Sequence, residues 1–254
     1  MKKISAIIVA HNEEKKIRDC LASLDFVDEI VVVLDKCTDK TKEIALEFNA
    51  NIAEGSWHLE GARRNVALVM AQGDWILEID ADERVSKELR EEILQTLNTA
   101  QPCGFELGIA NFIGDRWIKF GWLRTICVLK RHSLSYRGLK KYDEDKEVHP
   151  TYSFDGKIYE LQNHLIHLVD DNISDLWMRF NRYTTWKAKD MLAKNQKLPN
   201  VFRLIASSKL RFCKSYFFKK GYKEGVLGIL IAMLCALYPI VSYLKFKEII
   251  NENS

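Results

Sequence analysis

Two aspartates separated by one residue, Asp80 and Asp82, follow an apolar run that begins at Trp75. The run is typical of a buried strand, and Asp80 stands where the chain leaves it. Carboxylates in this D-x-D spacing suit Mg²⁺ or Mn²⁺, and such an ion can screen the phosphates of a nucleotide. Alternatively, Asp82 and Glu83 are only a charged turn before the helix that starts near Ser86. The strand-end position favours a ligand site, because open α/β sheets bind ligands there.

The chain before these acids alternates between apolar strands and amphipathic helices. Strands are predicted at residues 4–10, 28–34, 51–53 and 74–79, and helices at residues 13–24, 41–48 and 61–71. This alternation predicts a Rossmann-like α/β fold, with a mostly parallel sheet and flanking helices. Residues 102–167 are irregular and aromatic, with short alternating runs that indicate antiparallel strands, and residues 172–193 have the pattern of a long amphipathic helix.

The turn after the first strand reads Ala10-His11-Asn12-Glu13 and lacks glycine. It can therefore form neither a dinucleotide-binding G-x-G-x-x-G loop nor a P-loop. A nucleotide can still be held by side chains at the strand ends, with Asp35 reaching a ribose or base edge and Asn12 or Glu13 beside it. The alternative for each is a helix N-cap, since acidic residues are common there.

Two further segments carry groups that could do chemistry. Arg63 and Arg64 open a predicted helix, where guanidinium and backbone N–H groups can meet a diphosphate; the alternative is a solvated basic face. The acidic run 143–147 is where a general base for an acceptor hydroxyl is expected, although most charge runs are merely solvated. Trp117 and Trp122 either stack on a sugar or fill the core.

The composition narrows the possible functions. With 254 residues, 47% of them hydrophobic, the chain can bury a real core. A net charge of +3 implies no strong general attraction to nucleic acid, so no nucleic-acid partner is predicted. The six cysteines form no C-x-x-C pair, which fits reduced thiols in the cytosol.

The composition changes sharply near the C-terminus. Residues 203–223 contain seven Lys or Arg and no acid, interleaved with aromatic residues, and residues 225–244 carry no charge. As a helix the uncharged run would extend about 30 Å, roughly the hydrocarbon thickness of a bilayer. We predict in-plane, monotopic attachment to an anionic membrane surface, because the basic flank suits acidic lipids; the alternative is a single C-terminal span.

Taken together, these segments resemble a bacterial family 2 glycosyltransferase, of the lipopolysaccharide-core glucosyl- and heptosyl-type subfamily. The similar segments are His11-Asn12-Glu13-Glu14, residues 28–33 leading into Thr38-Asp39, Gly61-Ala62-Arg63-Arg64-Asn65, Gly73-Asp74-Trp75, Asp80-Ala81-Asp82-Glu83-Arg84, Asn181-Arg182-Tyr183 and the basic-apolar C-terminus.

The resemblance implies a GT-A fold, a nucleotide-diphosphate sugar donor such as a UDP-sugar, a divalent metal (Mg²⁺ or Mn²⁺) and inversion at the anomeric carbon. It also implies a lipid-linked or lipopolysaccharide-type saccharide acceptor at the cytoplasmic face of the inner membrane. The resemblance implies that Asp35, Arg64 and Asp80 bind the nucleotide sugar, beside Asn12 and Glu13 predicted from the first turn. It implies Asp80, Asp82 and His167 as the residues at the metal.

Two places depart from the family pattern. The acid after the second strand lies in Leu34-Asp35-Lys36-Cys37, either displaced by one position or taken from the neighbouring position. Val148-His149 is followed by Pro150 rather than glutamate. Because proline cannot accept a proton, the predicted catalytic base is one of Glu147, Asp145 or Glu144.

We therefore expect an enzyme with a GT-A domain at residues 1–170, made of a nucleotide-sugar half (1–100) and an acceptor half (101–170), followed by a helical membrane-associating region at residues 171–254. Two other functions stay open. A sugar-nucleotide pyrophosphorylase shares the α/β layout, but it is expected to have a glycine-rich loop after the first strand, which this chain lacks. A catalytically inactive membrane-binding protein would fit the missing glutamate.

Overall fold

The computed structural model describes residues 2–123, 127, 129–144, 151–194, 196 and 200–252. Its first part is a parallel sheet in the strand order β3-β2-β1-β4. The strands are β1 (Ile4–Ala10), β2 (Glu29–Asp35), β3 (Asn51–Gly55) and β4 (Trp75–Glu78), and the helices between them are α1 (Ile17–Ala22), α2 (Thr41–Glu47) and α3 (Glu60–Met70). The predicted α/β fold class is confirmed.

The sheet continues beyond β4 with antiparallel strands, in the order β4-β8-β6-β11-β5 and with β7 paired to β6, whereas β9 and β10 form a separate two-stranded sheet. The elements are β5 (Glu83–Val85), α4 (Lys87–Thr99), β6 (Gly104–Ile113), β7 (Arg116–Trp117), β8 (Lys130–Tyr136), β9 (Lys140–Tyr142), β10 (Tyr152–Phe154) and β11 (Ile158–Asp170). β8 runs antiparallel to both β4 and β6, which places a strand from the irregular middle of the sequence beside the D-x-D strand.

Alternation along the central strands explains why both faces of the parallel sheet are covered. Ile8, Val32 and Leu77 pack into a core on one face, whereas their sequence neighbours Ile7 and Val31 pack on the other. All five are at most 3% exposed. Since fully burying such a side chain is worth about 1.5–3 kcal/mol, a one-residue slip of any strand would be strongly disfavoured.

Contacts divide the chain into two units, one made of Met1–Ile109 and Lys130–His167 and the other of Ala110–Leu129 and Leu168–Ser254. The second unit contains α5 (Ile173–Ala193), α6 (Val201–Cys213), a π-helical turn (Lys214–Phe218), a 3₁₀ turn (Gly221–Glu224) and α7 (Val226–Glu252). α7 packs against both α5 and α6. Its buried residues Ile231, Leu234 and Cys235 join a core with Leu176 and Phe180 of α5.

α7 is also held by a polar contact. Lys245 donates to the carbonyl and side-chain oxygens of Asn181 at 2.7 Å, and to the hydroxyls of Thr184 and Thr185 at 2.8 Å. In the described part of the chain, Val226–Asn251 is one helix long and apolar enough to cross a membrane, and 33% of its most apolar window is buried within the protein. Lys245 therefore fixes α7 to α5 close to the C-terminal end of this apolar stretch.

The structure corrects one sequence-based expectation and decides between two alternatives for another residue. The first helix begins at Ile17 rather than at residue 13, because Asn12 adopts a left-handed backbone conformation with φ 57° and the following residues form turns. Trp122 is only 3% exposed and donates its indole N–H to the Ile118 carbonyl at 2.9 Å. Of the two alternatives for Trp122, the structure therefore supports the core of the second unit rather than stacking on a sugar.

Candidate active site

Asp35 lies at the carboxyl end of β2 and is only 5% exposed. One carboxylate oxygen accepts the Trp57 backbone N–H at 3.0 Å, and the other accepts from the Arg63 guanidinium at 2.6 Å. His11, after β1, contacts the Asp35 carbonyl through Nδ1 at 2.6 Å. The side chain is thus fixed at the sheet edge expected for ligands, between the turns that follow β1 and β3.

The turn after β1 is tied to the turn after β2 by side-chain contacts. The Asn12 side-chain oxygen accepts the Thr38 N–H at 2.8 Å, and Glu13 donates its backbone N–H to the Thr41 hydroxyl at 2.8 Å. Glu14 likewise donates its backbone N–H to Asp39 at 3.0 Å. Asn12 therefore holds the turn after β1 against the turn after β2. Its contact with a nucleotide stays a prediction.

The pKa of the Glu13 side chain is affected by the neighbouring carboxylates at this edge of the sheet. Burial, followed by the negative charges of Asp82 and Asp80, raises the pKa of Glu13 to about 7, with Lys16 opposing the shift. Carboxylates that raise the pKa of a neighbour indicate a local excess of negative charge. A bound cation would relieve that excess.

Asp80, the first acid of the D-x-D pair, is surrounded by guanidinium groups. One carboxylate oxygen accepts from Arg131, and the other lies 3.5 Å from Nη2 of Arg64. Arg131 also binds the buried carboxylate of Glu83, which in turn accepts the Asp80 backbone N–H at 2.9 Å. Burial opposes ionisation of Asp80, but the two arginines outweigh it and hold its pKa below the ordinary range.

Arg131 was not predicted as a site residue. It lies on β8, whose pairing places Leu134 opposite Leu77 of β4; continuing that antiparallel register brings Arg131 level with Asp80. The partners are separated by 51 residues. The sequence does show Arg131 as a basic residue at the start of an alternating run. The pairing of that run with β4, however, could not be inferred from the local pattern.

A buried network lies directly behind Asp80. Glu78, 2% exposed, accepts from the Lys140 ammonium and from the Tyr142 hydroxyl at 2.6 Å. Arg64 lies over the Tyr142 ring at 5.7 Å and also binds Glu60 at 2.9 Å. Each of these charges is paired, so the network holds the Arg64 head group next to Asp80 rather than leaving it free in solvent.

Asp82 and His167 meet at the same edge, with 3.3 Å between a carboxylate oxygen and the imidazole Nε2. They come together because β5 pairs antiparallel with β11, with His167 opposite Glu83. Both side chains are partly exposed, at 31% for Asp82 and 18% for His167. Asp80, the third predicted metal ligand, is engaged by arginines instead. In the described ranges, no group of three or more acidic, histidine or cysteine side chains has the arrangement of a complete metal cage.

The Asp82–His167 pair nevertheless fits a divalent ion. Two neighbouring ligands of an octahedral ion with bonds of about 2.1 Å lie on the order of 3 Å apart, which resembles their observed separation. A carboxylate oxygen and an imidazole nitrogen are both acceptable to Mn²⁺, and the negative charge around Glu13 favours a cation. These side chains could supply part of a coordination sphere, with a diphosphate or water supplying the rest.

Of the predicted catalytic acids, Asp145 and Glu147 lie outside the described residues. Glu144 is described, and its carboxylate accepts from the Asn65 side chain at 2.8 Å. Asn65 also exchanges two hydrogen bonds with the backbone of Tyr142, each 2.9 Å long. Asn65, an unpredicted residue, thus anchors the start of the acidic run to α3. No hydrogen bond or ion pair among described residues joins Glu144 to Asp80 or Asp82.

Comparison with known proteins agrees with this geometry. The family model described as Glycosyl transferase family 2 matches residues 5–160. That range contains the parallel strands, the D-x-D pair and Arg131. Arg131 and the arginines of α3 therefore belong to the part of the chain that the family model covers.

Similarity to individual proteins extends further. An uncharacterized glycosyltransferase of Rickettsia typhi is 28% identical over 258 residues, covering 98% of this chain and 88% of the relative. The lipopolysaccharide core biosynthesis glycosyltransferase LpsC of Rhizobium meliloti is 26% identical over 253 residues, covering 96% and 92%. The crystal structure of S. aureus TarS superposes with a TM-score of 0.51 at 18% identity, covering 98% of this chain and 54% of that chain. The structural likeness confirms the GT-A-type fold.

Proposed function

The chain belongs to glycosyl transferase family 2, and we propose that it moves a sugar from a nucleotide-diphosphate donor to a hydroxyl of a lipid-linked or lipopolysaccharide-type saccharide, with inversion. The similarity to LpsC, named for lipopolysaccharide core biosynthesis, supports the acceptor class. The main support for a nucleotide-sugar donor is that Arg64 and Arg131 both contact Asp80. Asp82 and His167 contact each other beside them. Cations gathered at the carboxyl ends of parallel strands suit the phosphates of a nucleotide.

In this proposal each donor-side residue has one task. Asp35, held by Trp57 and Arg63, accepts hydrogen bonds from the nucleoside, with Asn12 and Glu13 shaping the same pocket. Arg64 stabilises the diphosphate as it gains negative charge on leaving. Asp80 lies towards the ribose and orients Arg64 through their ion pair.

A divalent metal, Mg²⁺ or Mn²⁺, would be held by Asp82 and His167, with Asp80 nearby. When bound it would supply Lewis-acid stabilisation of the leaving diphosphate. The oxygen and nitrogen donors of Asp82 and His167 are already adjacent, so a metal requires little reorganisation of these two side chains.

The acceptor half is assigned to the acidic run. One of Glu144, Asp145 or Glu147 takes the proton of the acceptor hydroxyl as its oxygen attacks the anomeric carbon. A single in-line displacement of this kind inverts the configuration at that carbon. The contact of Glu144 with Asn65 supports this proposal, because it holds the first residues of the run against α3.

We also propose that residues 1–170 form the catalytic domain and residues 171–254 a helical region that attaches the enzyme to the cytoplasmic face of the inner membrane. In-plane attachment is favoured over a span because α7 packs on two helices and Lys245 is satisfied by oxygens of α5. Deleting residues 211–254 should move the protein to the soluble fraction. If full-length protein is soluble without detergent, the attachment proposal fails.

The deciding experiment is a screen of nucleotide sugars monitored by release of the nucleoside diphosphate, with a lipid-saccharide extract as acceptor. Wild type should release the diphosphate in an acceptor-dependent way, and Asp82→Ala should not. Asp25→Ala is the matched control, because Asp25 is an exposed aspartate whose described ion pair is with Arg90. Pyrophosphate release would instead indicate a pyrophosphorylase. Absence of metal-dependent UDP binding in calorimetry would favour an inactive scaffold.

A further inference from the structure

A cleft of about 250 Å³ opens between α5, α6 and α7 in the second unit, and none of its lining residues belongs to the candidate active site. Helical spacing explains how it is lined. Arg203, Ser207 and Arg211 recur every four residues on α6 and form one stripe, and Tyr238 and Ser242 do the same on α7. Lys187 and Met191 form the corresponding stripe of α5.

The charged groups of the cleft are predominantly cationic. Lys187 lies 3.1 Å from Asp190, but that carboxylate is shared with Lys194 at 2.6 Å, so one negative charge is divided between two ammonium groups. Arg203 is exposed and pairs with no carboxylate in the described part of the chain. Arg211 lies over the ring of Tyr238 at 5.8 Å. Lys187 and Lys194 therefore share one negative charge, and Arg203 adds a positive charge to the cleft.

The rest of the lining is apolar or hydroxyl-bearing, and the cleft borders an apolar surface. Pro239 and Leu204 contribute carbon atoms, and Tyr243 contributes a phenol. On the first turns of α6, next to Arg203, Phe202 is 82% exposed and Ile205 is 45% exposed. Large apolar side chains exposed beside a cationic cleft suit a ligand that has both an anionic head and an apolar body.

We propose that this cleft binds the phosphate headgroup of an anionic membrane lipid, with Arg203 and Arg211 as the principal contacts. Guanidinium groups bind phosphate oxygens through charge-assisted, often bidentate hydrogen bonds. The exposed apolar residues of α6 then enter the interfacial layer of the membrane. The inference rests on the membrane association proposed above and deepens it, because it replaces a general attraction to negative charge with a defined headgroup site.

The test uses full-length protein and vesicles of phosphatidylcholine, with or without phosphatidylglycerol. The paired substitution Arg203→Ala with Arg211→Ala is compared with Lys209→Ala with Lys219→Ala, which removes the same charge from exposed lysines outside the cleft lining. A general electrostatic contribution falls equally in both variants. Since losing charge-assisted bonds in a built site costs at least a further factor of ten, we expect the cleft variant to bind phosphatidylglycerol vesicles about tenfold more weakly than the control.

Equal losses in the two variants would overturn the headgroup site and leave only diffuse attraction. Calorimetry with inorganic phosphate separates the sources of the ligand: tight binding of free phosphate that is lost in the cleft variant, without selective vesicle binding, would refute a lipid ligand. Both variants should still release nucleoside diphosphate with a detergent-dispersed acceptor. Vesicle binding does not require donor turnover, so failure of the transferase proposal and failure of the cleft give different results.

Discussion

Removing the Arg131 side chain should destabilise the protein through a specific buried charge. Arg131 binds both Asp80 and Glu83, and the Glu83 side chain is only 3% exposed. Arg131→Met retains much of the apolar stem but leaves Glu83 without its cation. Breaking a buried ion pair by removing one partner costs about 3–5 kcal/mol, and we expect about 3 kcal/mol here because Arg131 itself is 21% exposed.

The loss should depend on pH in a defined direction. In the wild type, burial already raises the pKa of Glu83, and the positive charge of Arg131 opposes that rise. Without Arg131 the folded-state pKa of Glu83 rises further above its unfolded value. A carboxylate with a raised folded pKa destabilises the protein as pH climbs from the unfolded pKa through the folded one. The stability deficit of Arg131→Met should therefore be larger at neutral pH than in mild acid.

Urea unfolding followed by circular dichroism, at pH about 5 and about 7, measures both quantities. Adding Glu83→Gln to Arg131→Met should recover stability at neutral pH, since the buried charge is then gone. It should not recover transferase activity, because Asp80 still lacks the Arg131 guanidinium. A deficit below about 1 kcal/mol at neutral pH, or one that grows on acidification, would refute the assignment of Arg131 as the counter-charge of Glu83.

Three further results are expected. His167→Ala, which leaves Asp82 intact, should weaken Mn²⁺-dependent binding of UDP about tenfold or more in calorimetry while leaving the unfolding midpoint nearly unchanged; unchanged binding would remove His167 from the metal site. Because the pKa of Glu13 is raised to about 7, wild-type stability should fall as pH rises from about 5 to about 7, and Glu13→Gln should flatten that part of the profile. Lys245→Met should lower the free energy of unfolding in urea by about 1–3 kcal/mol, because its hydrogen bonds to α5 oxygens are lost. Lys247→Met, at an exposed position of the same helix, is the control and should change it by less than about 0.5 kcal/mol.

The parallel part of the fold was predictable because its information is local. β1, β2 and β4 are short apolar runs, each intervening helix has its own apolar stripe, and a parallel arrangement follows from the alternation. Asn172 caps α5 by accepting the Asp175 backbone N–H at 3.0 Å, a local contact that asparagine commonly makes at the start of a helix. The antiparallel part was less predictable, because β8 and β11 have mixed burial and their partners are distant in sequence.

The candidate site shows the same division. The turn residues around Asp35 could be placed from the sequence, since they directly follow predicted strands that are neighbours in the sheet. Arg131 and Asn65 could not, because their roles depend on how β8 and β9 pair and on which side chains face α3. Trp122 could be assigned to a loop-like segment from the sequence, but its position in a core depends on long-range packing that the sequence does not show.

The pairing of Asp80 changes how the D-x-D spacing should be interpreted. The spacing alone treats both aspartates as equivalent metal ligands, yet Asp80 is neutralised by Arg131 and Arg64 whereas Asp82 contacts a histidine. A carboxylate that already binds two guanidinium groups gains less from a metal than one that does not, because part of its charge is compensated. In the proposed function, the positive charge that faces the donor diphosphate would therefore come from two sources. Arg64 is a permanent part of the protein, and a metal at Asp82 would be the exchangeable part.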